Sequence, residues 1–228
     1  MLIENKSLHN KYQIFKTRVE AGEMLAKLIE EEGIDLVQII PNGGLPVGYG
    51  FIKNYAGQKP QVDLLIVKKI HIPGSTEAGM GAITPSGNVF LNERIVSHYS
   101  IQDAKIQKQI QETKQRIQQM KKNFGIAEDI AVEGKTILIV DDGIASGFSM
   151  LAGTSWLRNN GAKKILIGAP TAPLRSIQRL EEKVEKIYCL NVRETFTFAV
   201  ADAYKNWYDL SLEEAINYSE KITEVLAK

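Results

Sequence analysis

The sequence predicts an α/β fold, a doubly wound, mostly parallel sheet with helices on both faces. Three observations predict it. Short, mainly apolar runs at "DLVQII" (35–40), "VDLLIV" (62–67), "TILIVD" (136–141), "KILIGAP" (164–170) and "KIYCLN" (186–191) read as buried strands. Segments of helical periodicity alternate with them, the mark of parallel strands joined by crossovers. Two of the runs, the first and the third, open directly into glycine-containing loops followed by helix starts, and in open parallel sheets ligands bind at such strand ends.

The elements follow in order. Residues 17–32, "TRVEAGEMLAKLIEEE", place Val19, Met24, Leu25, Leu28 and Ile29 near one helical face, with Gly33 as the expected stop. After the first strand, Pro41 to Gly44 form a turn, and 45–56 form the helix that returns over the sheet. From Lys68 to Ile95 the pattern breaks up around Pro73, Gly74, Gly79, Gly81, Pro85 and Gly87; so long a connection points to a functional segment, and 70–95 is expected to be a lid loop. Residues 101–123 carry Ile101, Ile106, Ile110, Ile117 and Met120 in a glutamine-rich setting. They predict a one-sided inserted helix that faces outward or toward a partner, the candidate contact for a homodimer. Helices are expected from about 147 to 160 and over 174–185, and residues 191–228 form a C-terminal hood.

Length and composition bound the function. The 228 residues suit one domain, 1–228. Lysine and arginine number 28 against 27 acids, a formal charge of +1, so no global field advertises nucleic acid or an anionic membrane, and any phosphate must be bound locally. One cysteine, Cys189, excludes an intramolecular disulfide framework and a cysteine zinc cluster; it suits a reducing compartment, and the cytoplasm is expected. No apolar run approaches the ~18 residues of a membrane span, and the polar start lacks a signal-peptide core. His9, His71 and His98 show no metal-ligand spacing; His71 is expected to face solvent and Cys189 to be a buried strand residue.

The most informative stretch is "ILIVDDGIASGFSM" (137–150). Asp141 and Asp142 stand at the end of a strand, and Gly143, Ala145, Ser146 and Gly147 let an anion approach the backbone at a helix start. A triphosphate loop of the GxxxxGK[ST] type is absent from the sequence, which disfavours nucleotide triphosphate hydrolysis and kinase chemistry. Two carboxylates beside a phosphate cradle suit the hydroxyls of a diol, or a hydrated magnesium ion held through water, and so point to a sugar phosphate. The plainer alternative, that the acids only cap the next helix, accounts for one acid and not for the pair with its loop. At the end of the first strand, Gly43 and Gly44 expose amides to further oxygen atoms.

This stretch resembles the phosphoribosyl-pyrophosphate motif of the type I phosphoribosyltransferases. The resemblance implies that Asp141 and Asp142 hold ribose hydroxyls and, through water, Mg2+. It implies a 5′-phosphate site in the loop Gly143, Ile144, Ala145, Ser146, Gly147, Phe148 and Ser149, with Ala145 to Ser149 as its clasp, and a pyrophosphate site at Asn42, Gly43 and Gly44. More narrowly, "RVEAGEMLA", "PNGGLPVG", "VKKIHIPGSTEAGMGAI", "LNERIV" and "VDDGIASG" resemble a group of phosphoribosyltransferases of unassigned substrate. That group usually carries arginine where Asn42 stands; Lys68 and Lys69, expected at the end of the second strand, are the candidate replacement cations. Ala145 stands where relatives acting on 6-oxopurines often place an aspartate, which argues against that acceptor class. Phe148 replaces a usual small residue or lysine. The aromatic residues Phe196, Phe198, Tyr204, Trp207 and Tyr208 fall in the expected hood, where such spacing reflects packing more often than ligand stacking.

The sequence therefore predicts a cytoplasmic phosphoribosyltransferase using phosphoribosyl pyrophosphate and Mg2+ on a small nitrogenous acceptor, without nucleic acid or membrane partners. Asp141, Asp142, Lys68 and Lys69 carry the chemistry. The alternative is a regulator of the same fold that senses the donor without transferring it, a reading kept by Asn42 and Phe148.

Overall fold

In the computed structural model, residues 1–29, 32–75, 78–126 and 131–228 are described. The main sheet contains β1 (Leu2–Glu4), β2 (Leu36–Ile39), β3 (Gln61–Leu64), β7 (Thr136–Val140), β8 (Lys164–Pro173) and β9 (Lys186–Arg193). Their order is β1-β9-β8-β7-β2-β3, and every pairing is parallel. Both faces are covered, which is why the strands are apolar on successive residues. Val37, Ile39, Leu138, Val140, Leu166 and Leu190 lie in one buried cluster with α1 (Arg18–Leu28), α2 (Gly44–Asn54) and α7 (Leu212–Leu226). Leu36, Ile137, Ile139, Ile165, Ile167 and Ile187 lie in a second, with α5 (Phe148–Asn159) and α6 (Leu174–Glu181).

Chain order reverses at the centre of this sheet. From β2 the chain steps outward to β3, whereas β7, on the other side of β2, leads away through β8 and β9. The loops leaving β2 and β7 therefore diverge, opening the crevice in which doubly wound sheets bind ligands.

Several boundaries differ from the sequence reading. α1 ends at Leu28 with Ile29 as its C-cap, so Gly33 is not its stop; residues 30 and 31 of the expected helix lie outside the described residues. β8 runs on to Pro173, and α6 ends at Glu181, short of 185. The N-terminal strand β1 was not anticipated, because three partly exposed residues carry too little periodicity to register.

The larger correction concerns 70–95. Apart from residues 76 and 77, which lie outside the described residues, it is mostly ordered into elements. β4 (Lys68–His71), β5 (Gly79–Ile83) and β6 (Val89–Leu91) make a small antiparallel sheet, followed by α3 (Glu93–His98). Lys68 and Lys69 accordingly begin the small sheet instead of ending β3. The glycines that read as loop breakers let strands meet: a Cβ at Gly81 would lie 2.2 Å from the Phe90 carbonyl of β6.

The inserted helix, α4 (Asp103–Asn123), is present over its expected span. Much of its apolar stripe packs within the chain: Ile106, Ile110 and Ile117 are buried in the same cluster as Ile70, Met80 and Ile83 of the small sheet. Among the described residues no helix is long and apolar enough to cross a membrane.

Candidate active site

β7 carries its four buried residues Ile137–Val140 to the crevice and releases Asp141 and Asp142 there. The two acids are not equivalent. The Asp142 carboxylate takes a hydrogen bond from Arg18 Nε at 2.8 Å, and the side chains are only 14 % and 6 % exposed respectively. Arg18 is held in turn by the Tyr208 carbonyl, to which Nη1 donates at 3.0 Å, and by the Trp207 ring, whose centroid lies 3.9 Å from the guanidinium carbon. Tyr204 donates its hydroxyl to the Asp142 carbonyl at 2.6 Å. Asp141 accepts from the Asp142 amide at 2.8 Å.

Burial raises the pKa of both carboxyls. At Asp141 the adjacent Asp142 charge adds to the effect, and its value lies well above the ordinary range. At Asp142, Arg18 opposes the rise through its charge and its hydrogen bond. Arg18 thus makes the two acids electrostatically unequal, with the stronger upward push on Asp141.

The loop after β2 lies directly against these acids. A Cβ at Gly43 would fall 2.2 Å from Asp142 Oδ2, and one at Gly44 would fall 3.0 Å from the Val140 carbonyl. Only glycine permits this contact between the two loops, a reason more specific than the exposed amides expected from the sequence. The Pro41–Asn42 peptide bond is cis. Asn42 turns its side-chain nitrogen to the Leu210 carbonyl at 3.4 Å, toward the hood and not among the residues that line the cleft described below.

The loop Gly143–Ser149 is fixed from behind. The Thr171 carbonyl accepts from the Ile144 amide at 2.9 Å, Ser176 Oγ of α6 donates to the Ala145 carbonyl at 2.6 Å, and Arg179 of α6 donates to the Ser146 carbonyl. Because a trans peptide points its N–H opposite to its C=O, the Ser146 and Gly147 amides face away from α6. Gly147 takes a left-handed conformation (φ 80°) as the N-cap of α5, and no side chain caps that helix end. An uncapped N-terminus with outward amides is an anion cradle. Phe148 points elsewhere, stacking under Arg179 (5.2 Å) and lining an apolar cleft with Phe90 and Leu151. The loop therefore accommodates this bulky residue without losing its amides.

A cleft of about 590 Å3 reaches the loop after β2 at Pro41 and the start of α5 at Ser149, and is lined by Ile40, Pro41, Val67, Lys68, Lys69, His71, Arg116, Gln119, Met120 and Ser149. Lys68 and Lys69 line this cleft, reaching it from the small sheet. His71 lines the cleft instead of facing bulk solvent, as the sequence reading had it. The Lys68 amine is pushed down in pKa, first by burial, with Asp141 pulling it up and Arg116 pushing it further down.

Four contributors escaped sequence reasoning. Arg18 had one available signal: a cation in the first turn of a helix opposes the helix dipole, so a carboxylate from elsewhere was to be expected. Tyr204 and Trp207 were grouped with the hood aromatics; Trp207 packs on Arg18 and Tyr204 on Phe15, whereas Phe196 is fully exposed. Arg116 had no distinguishing signal among the many cations of a polar helix. Cys189 is buried, as predicted, and burial pushes its thiol up to about 12.

Comparisons with known proteins show the family and the fold. A family model described as the phosphoribosyl transferase domain matches residues 12–205. Two curated proteins of Mycobacterium tuberculosis, from strains CDC 1551 / Oshkosh and ATCC 25618 / H37Rv, are provisionally named phosphoribosyl transferases. Each is 30 % identical over 215 residues, covering 92 % of this chain and 47 % of its own length; the chain spans about half the length of these curated relatives. The crystal structure of the Thermus thermophilus protein TT1426 superposes with a TM-score of 0.71 at 24 % identity, covering 90 % of this chain and 96 % of that one. That match supports the fold. With both crevice loops, the small sheet and Arg116 inside the span of the family model, the chain belongs to the phosphoribosyl transferase domain family.

Proposed function

We propose that this chain transfers the 5-phosphoribosyl group from phosphoribosyl pyrophosphate to a nitrogenous acceptor and releases pyrophosphate. One observation carries the reading: a buried acid pair and an uncapped, glycine-led helix N-terminus share one strand end at the point where the sheet order reverses. The cradle at Ala145–Ser149 suits the 5′-phosphate, and Asp141 and Asp142 suit the two ribose hydroxyls. Lys68 and Lys69 stand where the leaving pyrophosphate gains charge. Burial of the acids strengthens these interactions by keeping water away.

A magnesium ion fits this donor set only in company with substrate. Among the described residues no cluster of three or more His, Cys, Asp or Glu side chains could hold a metal, and Asp142 is already engaged by Arg18. Two carboxylates plus donor oxygens are what hydrated Mg2+ commonly uses, and there it would neutralise charge on the leaving group. Asp141 and Asp142 are the residues that would hold it.

The test incubates the protein with phosphoribosyl pyrophosphate, Mg2+ and a panel of purine and pyrimidine bases, and measures pyrophosphate release alongside donor binding by calorimetry. Base-dependent release supports transfer. Binding without release from any base identifies a donor sensor instead, and no binding removes both readings.

A further inference from the structure

We propose that Arg116, carried by the inserted helix α4, is a pyrophosphate-binding residue of this site, acting with Lys68 across the cleft. The inference rests on the phosphoribosyl pyrophosphate reading and extends it to an element outside the strand-end loops.

The loop after β2, Pro41–Gly44, contains no cation, and the Asn42 side chain is turned to the Leu210 carbonyl. Charge for a leaving diphosphate must therefore come from across the cleft. Lys68 supplies part of it, but its burial lowers the pKa and so weakens its hold on a proton. Arg116 lines the same cleft and lies close enough to repel the Lys68 charge. Among the described residues it forms no ion pair; the carboxylate one turn before it, Glu112, accepts instead from Gln109 at 2.9 Å.

Two cations held near each other, with no ion pair to quench the guanidinium, form an arrangement that an anion relieves. Arginine suits a diphosphate in particular, since its planar fork donates two parallel hydrogen bonds and its charge does not titrate near neutrality. Its placement is also fixed. Ile117, the next residue, is 4 % exposed, and with Ile110 it seats α4 in the cluster containing Ile70 and Met80 of the small sheet. Arg116, Gln119 and Met120 then share the adjoining stripe, which lines the cleft. Packing α4 on β4 and β5 thereby places Arg116 opposite the strand that begins with Lys68.

Calorimetric titrations with inorganic pyrophosphate and, separately, ribose 5-phosphate, both with Mg2+, test the assignment on the full chain. Arg116→Ala should weaken pyrophosphate binding about 10- to 100-fold, the loss expected for a charge-assisted contact, and leave ribose 5-phosphate binding unchanged. Arg116→Lys should restore part of the loss. Lys108→Ala, which removes an exposed cation from the same helix, should leave both affinities as in the wild type and controls for net charge. Pyrophosphate affinity unchanged in Arg116→Ala overturns the role of Arg116 while leaving the donor reading intact. An equal loss for both probes also overturns it, since that marks a general structural effect. A wild-type protein that binds neither probe overturns the donor reading and this inference together.

Discussion

Arg18 is expected to be the stabilising partner on which the acid pair depends. Its guanidinium is 6 % exposed, lies 2.8 Å from Asp142 and is stacked against Trp207. Arg18→Met keeps an apolar stem of similar length against the indole but removes the ion-pair partner of Asp142 beside the Asp141 carboxyl. Removing one partner of a buried pair costs about 3–5 kcal/mol, against a typical total stability of about 5–15 kcal/mol. A urea titration at pH 7.5, followed by tryptophan fluorescence, should show a loss of that size. In a double-mutant cycle, Asp142→Asn should recover much of it, with a coupling of about 2 kcal/mol or more. The pH dependence has a definite sign. Without Arg18, the folded pKa of Asp142 lies above its unfolded value, so the penalty is full above the folded pKa and fades as pH falls toward the unfolded value of 3.8. The gap between Arg18→Met and wild type should therefore narrow between pH 7.5 and pH 4.5. A coupling below about 0.5 kcal/mol, the additivity limit for independent sites, or a gap that does not change with pH, would mean that Arg18 does not stabilise the fold through Asp142.

Three further outcomes are expected. Asp141 has a raised folded pKa, so its charged form costs stability once the pH rises above its unfolded value; Asp141→Asn should raise the unfolding free energy from a neutral-pH urea titration by on the order of 1 kcal/mol while abolishing donor binding, and a lower unfolding free energy would contradict this. Glu32 shows the opposite sign: burial pushes its pKa up, but hydrogen bonds from Lys164, Lys186 and Tyr188 outweigh this and hold it at about 2. Its contribution is present above 4.5 and lost as pH falls through about 2; discounted for solvent screening, Glu32→Gln should cost about 1–2 kcal/mol at pH 7 and much less below pH 2.5. Ile117→Ala in α4 should cost about 2–4 kcal/mol without altering solution mass, whereas a changed mass at an unchanged urea midpoint would restore the partner-facing reading of this helix.

The fold was legible because its signals are local. Runs such as "ILIV" at 137–140 are buried on both faces of a parallel sheet, and no other common arrangement asks for four successive apolar residues between helices. The acid pair and the loop after it were legible for the same reason, since strand end, acids, small residues and helix start all lie within one short stretch. Residues 70–95 were misread because glycines and prolines that break a helix pattern also occur where short antiparallel strands approach closely, as at Gly81 against Phe90. Sequence alone therefore determined the sheet class and the placement of two acids and a glycine-led helix start at one strand end. Tertiary structure decided which partner each acid has. Arg18 lies more than a hundred residues from Asp142 in the chain and Trp207 comes from the hood, and Arg116 reaches the cleft only because α4 folds its isoleucines onto the small sheet. Charge pairing in a crevice depends on distance in space and on burial, and neither is encoded by the spacing of residues along one strand or helix.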